Sequence, residues 1–248
     1  GFYKLPKVWS IKKRSLQRRL LILLKVNFLK NSSPQRIHWL QPLQKNTKIQ
    51  LKDHTELFPD EKTTLLINNF LKDHGLFSQG FLAIGASASY SLKRWPINYF
   101  NELISGILDK GWKIVLVGGK NEAESSQIEE NFSRELVNVS GLFSPLESAE
   151  LIRNARLTVT NDTSVGHLSE AMGTPALVFF GPTVKEFGYA PFLKESKMLE
   201  TNKVINCRPC SPDGRGRCHN TKKLLCLTTI TPKMVLELIP SLNKLSTE

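Results

Sequence analysis

No apolar run in this sequence approaches the ~20 residues needed to cross a bilayer. The longest candidate, Leu20–Leu24, is fenced by Arg18, Arg19 and Lys25. No cationic-then-apolar leader follows Gly1-Phe2-Tyr3. Internal repeats and low-complexity tracts are also missing, which argues against solenoids and fibrous arrays. There is no Walker phosphate loop: the one Lys in a Gly/Ser-rich turn, Lys93, is followed by Arg94 and not by Ser or Thr. A soluble, cytoplasmic protein is the default expectation.

Acid is in short supply. Against 34 Lys and Arg stand 22 Asp and Glu, a formal charge of +12. The excess is uneven, with Lys12, Lys13, Arg14, Arg18, Arg19, Lys25, Lys30 and Arg36 in the first forty residues. Such a field suits a solvated helix face, or attraction to an acidic membrane surface or an anionic lipid-linked partner. Nucleic acid ranks below these, because no reading motif accompanies the charge.

What is present is regular alternation. Residues 1–45 read as helical and basic, ending in a stretch punctuated by Pro34 and Pro42, and residues 46–60 as a linker with a short strand around Lys48–Leu51. Helical periodicity then covers Thr63–His74, and Gly75 stops it. Strands are expected at Phe81–Ile84, Lys113–Val117, Val137–Val139, Leu157–Thr160 and Ala176–Phe180. Helices are expected at Ile97–Lys110, Glu122–Arg134 and Pro145–Asn154, the last capped by Ser144, and again after residue 163. Strands and helices alternating through short connections predict parallel βα units and a doubly wound, Rossmann-like α/β domain.

Three turns at the predicted carboxyl ends of strands carry the polar residues. The most informative is Asn161-Asp162-Thr163-Ser164-Val165-Gly166-His167. Asp162 or Thr163 can cap the helix that follows, whose free N–H groups suit an anionic ligand. His167, in the first turn beyond, reads as a polar support and not as a general base. The turn Gly85-Ala86-Ser87-Ala88-Ser89 lets a ligand approach the backbone; Ser87 or Ser89 can donate to phosphate oxygens and Lys93 can neutralise a diphosphate. Pro96 is expected in the first turn of the next helix. At Gly118-Gly119-Lys120-Asn121-Glu122, the Glu122 carboxylate either accepts from ribose hydroxyls or complements a helix dipole.

Cys207, Cys210, Cys218 and Cys226 follow a C-x2-C-x7-C-x7-C pattern. These spacings are not those of common zinc ribbons, and without a secretory leader disulfides are disfavoured. Reduced packing cysteines are the preferred reading, with a structural zinc as the alternative.

Together these pieces resemble the heptosyltransferases of lipopolysaccharide synthesis, glycosyltransferase family 9. The resemblance runs from about Phe81 to Leu238. It rests on the Gly-Ala-Ser loop ending in Lys93-Arg94-Trp95-Pro96, the Val115–Gly119 turn, Asn161–His167, Gly173-Thr174-Pro175, Phe180-Gly181-Pro182-Thr183, the cysteine-rich loop and Ile230-Thr231-Pro232. It implies a GT-B fold and an inverting transfer of heptose from ADP-heptose to a lipopolysaccharide core acceptor, with no cofactor required and peripheral contact with the cytoplasmic face of the inner membrane. By that likeness Lys93 and Asp162 carry the chemistry, and Ser87, Lys93, Glu122, Asp162, Thr163, Ser164 and His167 hold the donor. Residues 60–248 form the nucleotide-sugar domain, and residues 1–59 a helical remnant of the acceptor domain with a linker. The acidic Gly-loop base expected of an acceptor domain has no counterpart in residues 1–60, which implies a truncated chain or a fragment that alone is inactive. The competing readings are a non-catalytic nucleotide-sugar-binding module and a basic protein that binds a membrane surface or nucleic acid.

Overall fold

The computed structural model describes residues 10–47 and 54–240. Its centre is a six-stranded, wholly parallel sheet of order β3-β2-β1-β4-β5-β6. The strands are β1 (Phe81–Gly85), β2 (Lys113–Leu116), β3 (Leu136–Asn138), β4 (Leu157–Asn161), β5 (Ala176–Phe180) and β6 (Lys197–Glu200). β1 and β5 are apolar throughout because helices cover both faces of the sheet, so neither set of alternating side chains meets water.

One face packs under α5 (Ile97–Asp109) and the short α9 (Leu225–Thr228) and α10 (Pro232–Leu236). There Leu82, Ile84 and Phe179 meet Phe100, Leu103, Ile107 and Val235 in one core. Trp95 stacks on Phe179 with ring centroids 4.4 Å apart, and its indole N–H donates to the Ile230 carbonyl at 2.9 Å. The opposite face packs under α3 (Glu61–Asp73) and α7 (Pro145–Arg153): Phe81, Ala83 and Val115 meet Ile67, Leu71, Leu151 and Ile152. The strand period of two thus sorts β1 between two cores. Asp60 caps α3 by accepting from Thr63 N at 2.8 Å, and Gly75 ends it in the left-handed region at φ 62°. Ser144 and Glu147 close a reciprocal capping box on α7, as its sequence predicts.

The remaining helices are α1 (Ser15–Leu23), α2 (Gln35–Asn46), the short α4 (Leu76–Gln79), α6 (Ala123–Phe132) and α8 (Ser164–Ala171). Pro42, read as punctuation at the end of the basic stretch, lies inside α2, at the cost of one internal hydrogen bond. Pro96 sits one position before the first turn of α5, as its N-cap. β6 was not expected, because Lys197-Met198-Leu199-Glu200 has charged ends and sits at the sheet edge. The strand expected around Lys48–Leu51 lies outside the described residues.

The basic N-terminal segment is less free than its charge suggests. Arg14 donates to Ser33, Arg18 to Gln35 and to the Phe187 carbonyl, and Lys25 to the carbonyls of Cys207 and Pro209. Three of those cations are therefore tethers holding α1 and its turn to their neighbours. Lys12, Lys13, Arg19 and Lys30 remain exposed, near exposed Leu16, Leu23, Leu24 and Phe28. Among the described residues, no helix is long and apolar enough to cross a membrane.

Candidate functional site

Strand order reverses direction at β1 and β4, so the chain leaves β1 toward α5 on one face and β4 toward α8 on the other. A crevice opens at such a switch point, outside the carboxyl ends of the strands. Here it is a cavity of about 900 Å³. Its lining comes from the turns after β1 (Gly85, Ser87), β2 (Gly118, Glu122), β4 (Asp162, Ser164) and β5 (Thr183).

Asn161 fixes the local backbone. Fully buried, it accepts from Trp95 N through Oδ1 at 3.0 Å and donates through Nδ2 to the Ala86 carbonyl at 2.6 Å. One amide thereby ties both ends of the Gly85–Trp95 loop to the tip of β4. Beneath it, Thr160 Oγ1 donates to the Gly85 carbonyl at 3.1 Å; a Cβ at position 85 would fall 2.5 Å from that hydroxyl, so only glycine fits.

Lys93 then points at Asp162. Its ammonium lies 2.8 Å from Oδ2 and 3.1 Å from the Asp162 carbonyl, and Thr183 Oγ1 donates to the same Oδ2 at 2.8 Å. Thr163 occupies the N-cap of α8, but neither it nor Asp162 caps the helix with its side chain, for a visible reason. The Asp162 carboxylate is taken by Lys93 and Thr183, and the Thr163 hydroxyl lies 3.3 Å from that of Thr160. No side chain caps α8, whose first residues line the cavity.

Ser87 lines the cavity too, but its hydroxyl donates to Glu124 at 2.9 Å, and Glu124 is held in turn by Arg94 at 2.7 Å. Glu122 reaches back to Gly119 N through Oε1 at 2.8 Å, while its buried Oε2 has no hydrogen-bond partner. Such a buried acceptor is costly unless something else supplies a donor. Beside the Gly118-Gly119 turn the walls become apolar, with Val117, Phe143 and Pro145. His167 also lines the cavity. Burial pushes its pKa below the usual 6.5, aided by Lys93 and opposed by Asp162 and Glu170, which keeps the ring neutral.

The structure brings all seven sequence-predicted donor residues to this one cavity. Sequence reasoning missed Glu124, Arg18 and Tyr189, and the pairing of Thr183 with Asp162. Thr183 ends a noted strand-to-turn motif and was findable there. Arg18 comes from a helix far back in the chain, and nothing local signals it.

The four cysteines, all free thiols, line a second, much smaller cavity with His219. Burial and neighbouring thiols push Cys210 upward and Cys226 to about 11. Among the described residues, no three His, Cys, Asp or Glu side chains are grouped so as to hold a metal ion. The loop they flank borders the main cavity: a Cβ on Gly214 (φ 95°) would lie 2.7 Å from Lys93 Cγ.

A parallel sheet of this order with a polar crevice at its switch point defines a Rossmann-like domain, here of the GT-B type. The glycosyltransferase 9 structure from Veillonella parvula superposes with a TM-score of 0.69 at 20% identity, over 84% of this chain and 60% of that one. An Escherichia coli heptosyltransferase solved with ADP-2-deoxy-2-fluoro heptose gives a TM-score of 0.51 at 20% identity, over 82% and 53%. The family model of glycosyltransferase family 9 (heptosyltransferase) matches residues 31–223, and the chain belongs to that family. It is 30% identical over 154 residues to lipooligosaccharide heptosyltransferase 2 of Haemophilus influenzae, covering 58% of this chain and 42% of that protein. The chain thus spans a little under half the length of that curated relative.

Proposed function

We propose that this chain carries the nucleotide-sugar site of an inverting glycosyltransferase that moves heptose from ADP-heptose to a lipopolysaccharide core acceptor. The observation that carries the reading is the convergence of Lys93, Asp162 and the uncapped start of α8 at the strand-end crevice of a family 9 chain. Breaking the sugar–phosphate bond builds negative charge on the departing diphosphate. A lysine and fixed helix N–H groups stabilise that charge best when already in place. Lys93, Thr163 and Ser164 would meet the phosphates, with Ser87 turning its hydroxyl from Glu124 to a phosphate oxygen. Glu122 Oε2 would accept from a ribose hydroxyl, and the apolar end at Val117 and Phe143 would flank the base. Asp162 would hold Lys93 in place and face the sugar, with His167 in neutral support.

Residues 60–248 are read as the donor domain and residues 1–59 as acceptor-side helix and linker. Turnover is proposed to require an acceptor-binding half that supplies the base. The exposed apolar and cationic residues of α1 and the following turn support peripheral contact with the cytoplasmic face of the inner membrane.

Calorimetric titration of ADP, UDP and GDP into the chain, with Lys93→Ala alongside, tests the donor site. ADP-selective binding that the substitution abolishes is expected. A folded chain that binds none of the three would overturn the reading.

A further inference from the structure

The Lys93–Asp162 pair leaves a charge deficit. A diphosphate brings two negative charges, but the ammonium aimed at its expected place is already matched by a carboxylate 2.8 Å away. Glu122 adds a further negative charge to the same lining, and the carboxylate of Asp213 is matched by Arg215 at 3.2 Å. The cationic side chains left in the lining are Lys120, exposed on the β2 turn beside Glu122, and Arg18.

Arg18 is built differently from a solvated cation. It reaches the cavity from α1, lining the same space as His167, Thr183 and Tyr189. Its guanidinium carbon lies 5.7 Å from the Phe187 ring centroid and 5.5 Å from that of Tyr189, so it packs against two aromatic rings. Both hydrogen bonds that hold it run through Nη2, to Gln35 Oε1 at 2.9 Å and the Phe187 carbonyl at 3.0 Å. Nε is buried and has no hydrogen-bond partner. A guanidinium held through Nη2 alone keeps its other donors for a further acceptor, and such a fork suits phosphoryl oxygens.

We infer that Arg18 is the second cation for the diphosphate, reaching from α1 the cavity that Lys93 also lines. The inference rests on the donor-site reading for the nucleoside part of the ligand, but not for the anion. It makes α1 a working wall of the donor site, so that segment cannot be trimmed without weakening the anion.

The test uses the full chain, with inorganic pyrophosphate, ADP and adenosine titrated calorimetrically into wild type, Arg18→Gln and Arg14→Ala. Arg14 anchors α1 through Ser33 without lining the cavity, so its variant reports loosening of the helix alone. Arg18→Gln is expected to weaken pyrophosphate and ADP at least tenfold and leave adenosine unchanged, with Arg14→Ala within twofold of wild type. Pyrophosphate and ADP affinities unchanged in Arg18→Gln would overturn the inference, and so would an equal loss in Arg14→Ala. Pyrophosphate binding lost in Arg18→Gln, in a chain that never binds ADP, would sink the donor reading and keep the anion site. ADP binding indifferent to Arg18 would do the reverse. A folded wild type that binds neither probe would overturn both.

Discussion

The Lys93 ammonium bridges the side chain and the main chain of Asp162, at 2.8 and 3.1 Å, so the two residues behave as one unit. Both side chains are largely buried, 16% and 8% exposed. Removing either partner leaves the other charge poorly solvated. Lys93→Ala and Asp162→Ala are each expected to destabilise the fold, while the double variant loses about 1–3 kcal/mol less than the sum of the two. Denaturant unfolding of the four proteins measures this. Additive losses would show that the pair is not coupled.

Glu122 offers a gentler perturbation. A Cβ on Gly118 would fall 2.0 Å from Glu122 Oε2, the end of a flexible side chain that can move aside. Gly118→Ala is therefore expected to fold with little loss yet lower ADP affinity about as much as Glu122→Ala. Normal ADP binding by Gly118→Ala would separate Glu122 from the ligand.

His167 sets an acid limb. Its folded pKa lies below the usual 6.5, with burial the main cause, so the unfolded chain takes up this proton more readily. The stability His167 contributes is full above about pH 6.5 and declines as pH falls toward the folded value. His167→Gln is expected to flatten that slope when unfolding is measured at about pH 7.5, 6.5 and 5.5. An unchanged slope would mean that other groups own it.

Cys226 is the thiol to watch at alkaline pH. Raised to about 11, chiefly by burial, it carries almost no thiolate near pH 8. Iodoacetamide is expected to label Cys226 slowly in the folded chain and rapidly once the chain is unfolded. Equal rates in the two states would contradict the burial seen here.

The sequence was most legible where local rules and tertiary needs agree. Ser144 and Gly75 each mark a helix end by chemistry that acts within three or four residues. The apolar runs at β1 and β5 could only be strands buried on both faces. The cavity lining was legible because the expected residues sit in the segments that follow strand ends, where the sheet must deliver them. Legibility failed where a side chain chooses among distant partners. Nothing near Asp162 says that Thr183 and Lys93 will outbid the helix start for its carboxylate. Likewise, nothing near Arg18 announces Phe187 and Tyr189.

The wholly parallel sheet also dictates when the crevice comes into being. Parallel neighbours cannot be joined by a tight hairpin, and the central pair illustrates the consequence: Thr160 bonds to Gly85 from 75 residues away. Closing so long a span costs chain entropy before any contact rewards it, so such pairings form slowly. Each flank can assemble from nearer segments, but the Asn161 clasp needs β1 and β4 side by side. The two walls of the crevice thus come from segments far apart in the chain, and the β1–β4 pairing is what brings them together.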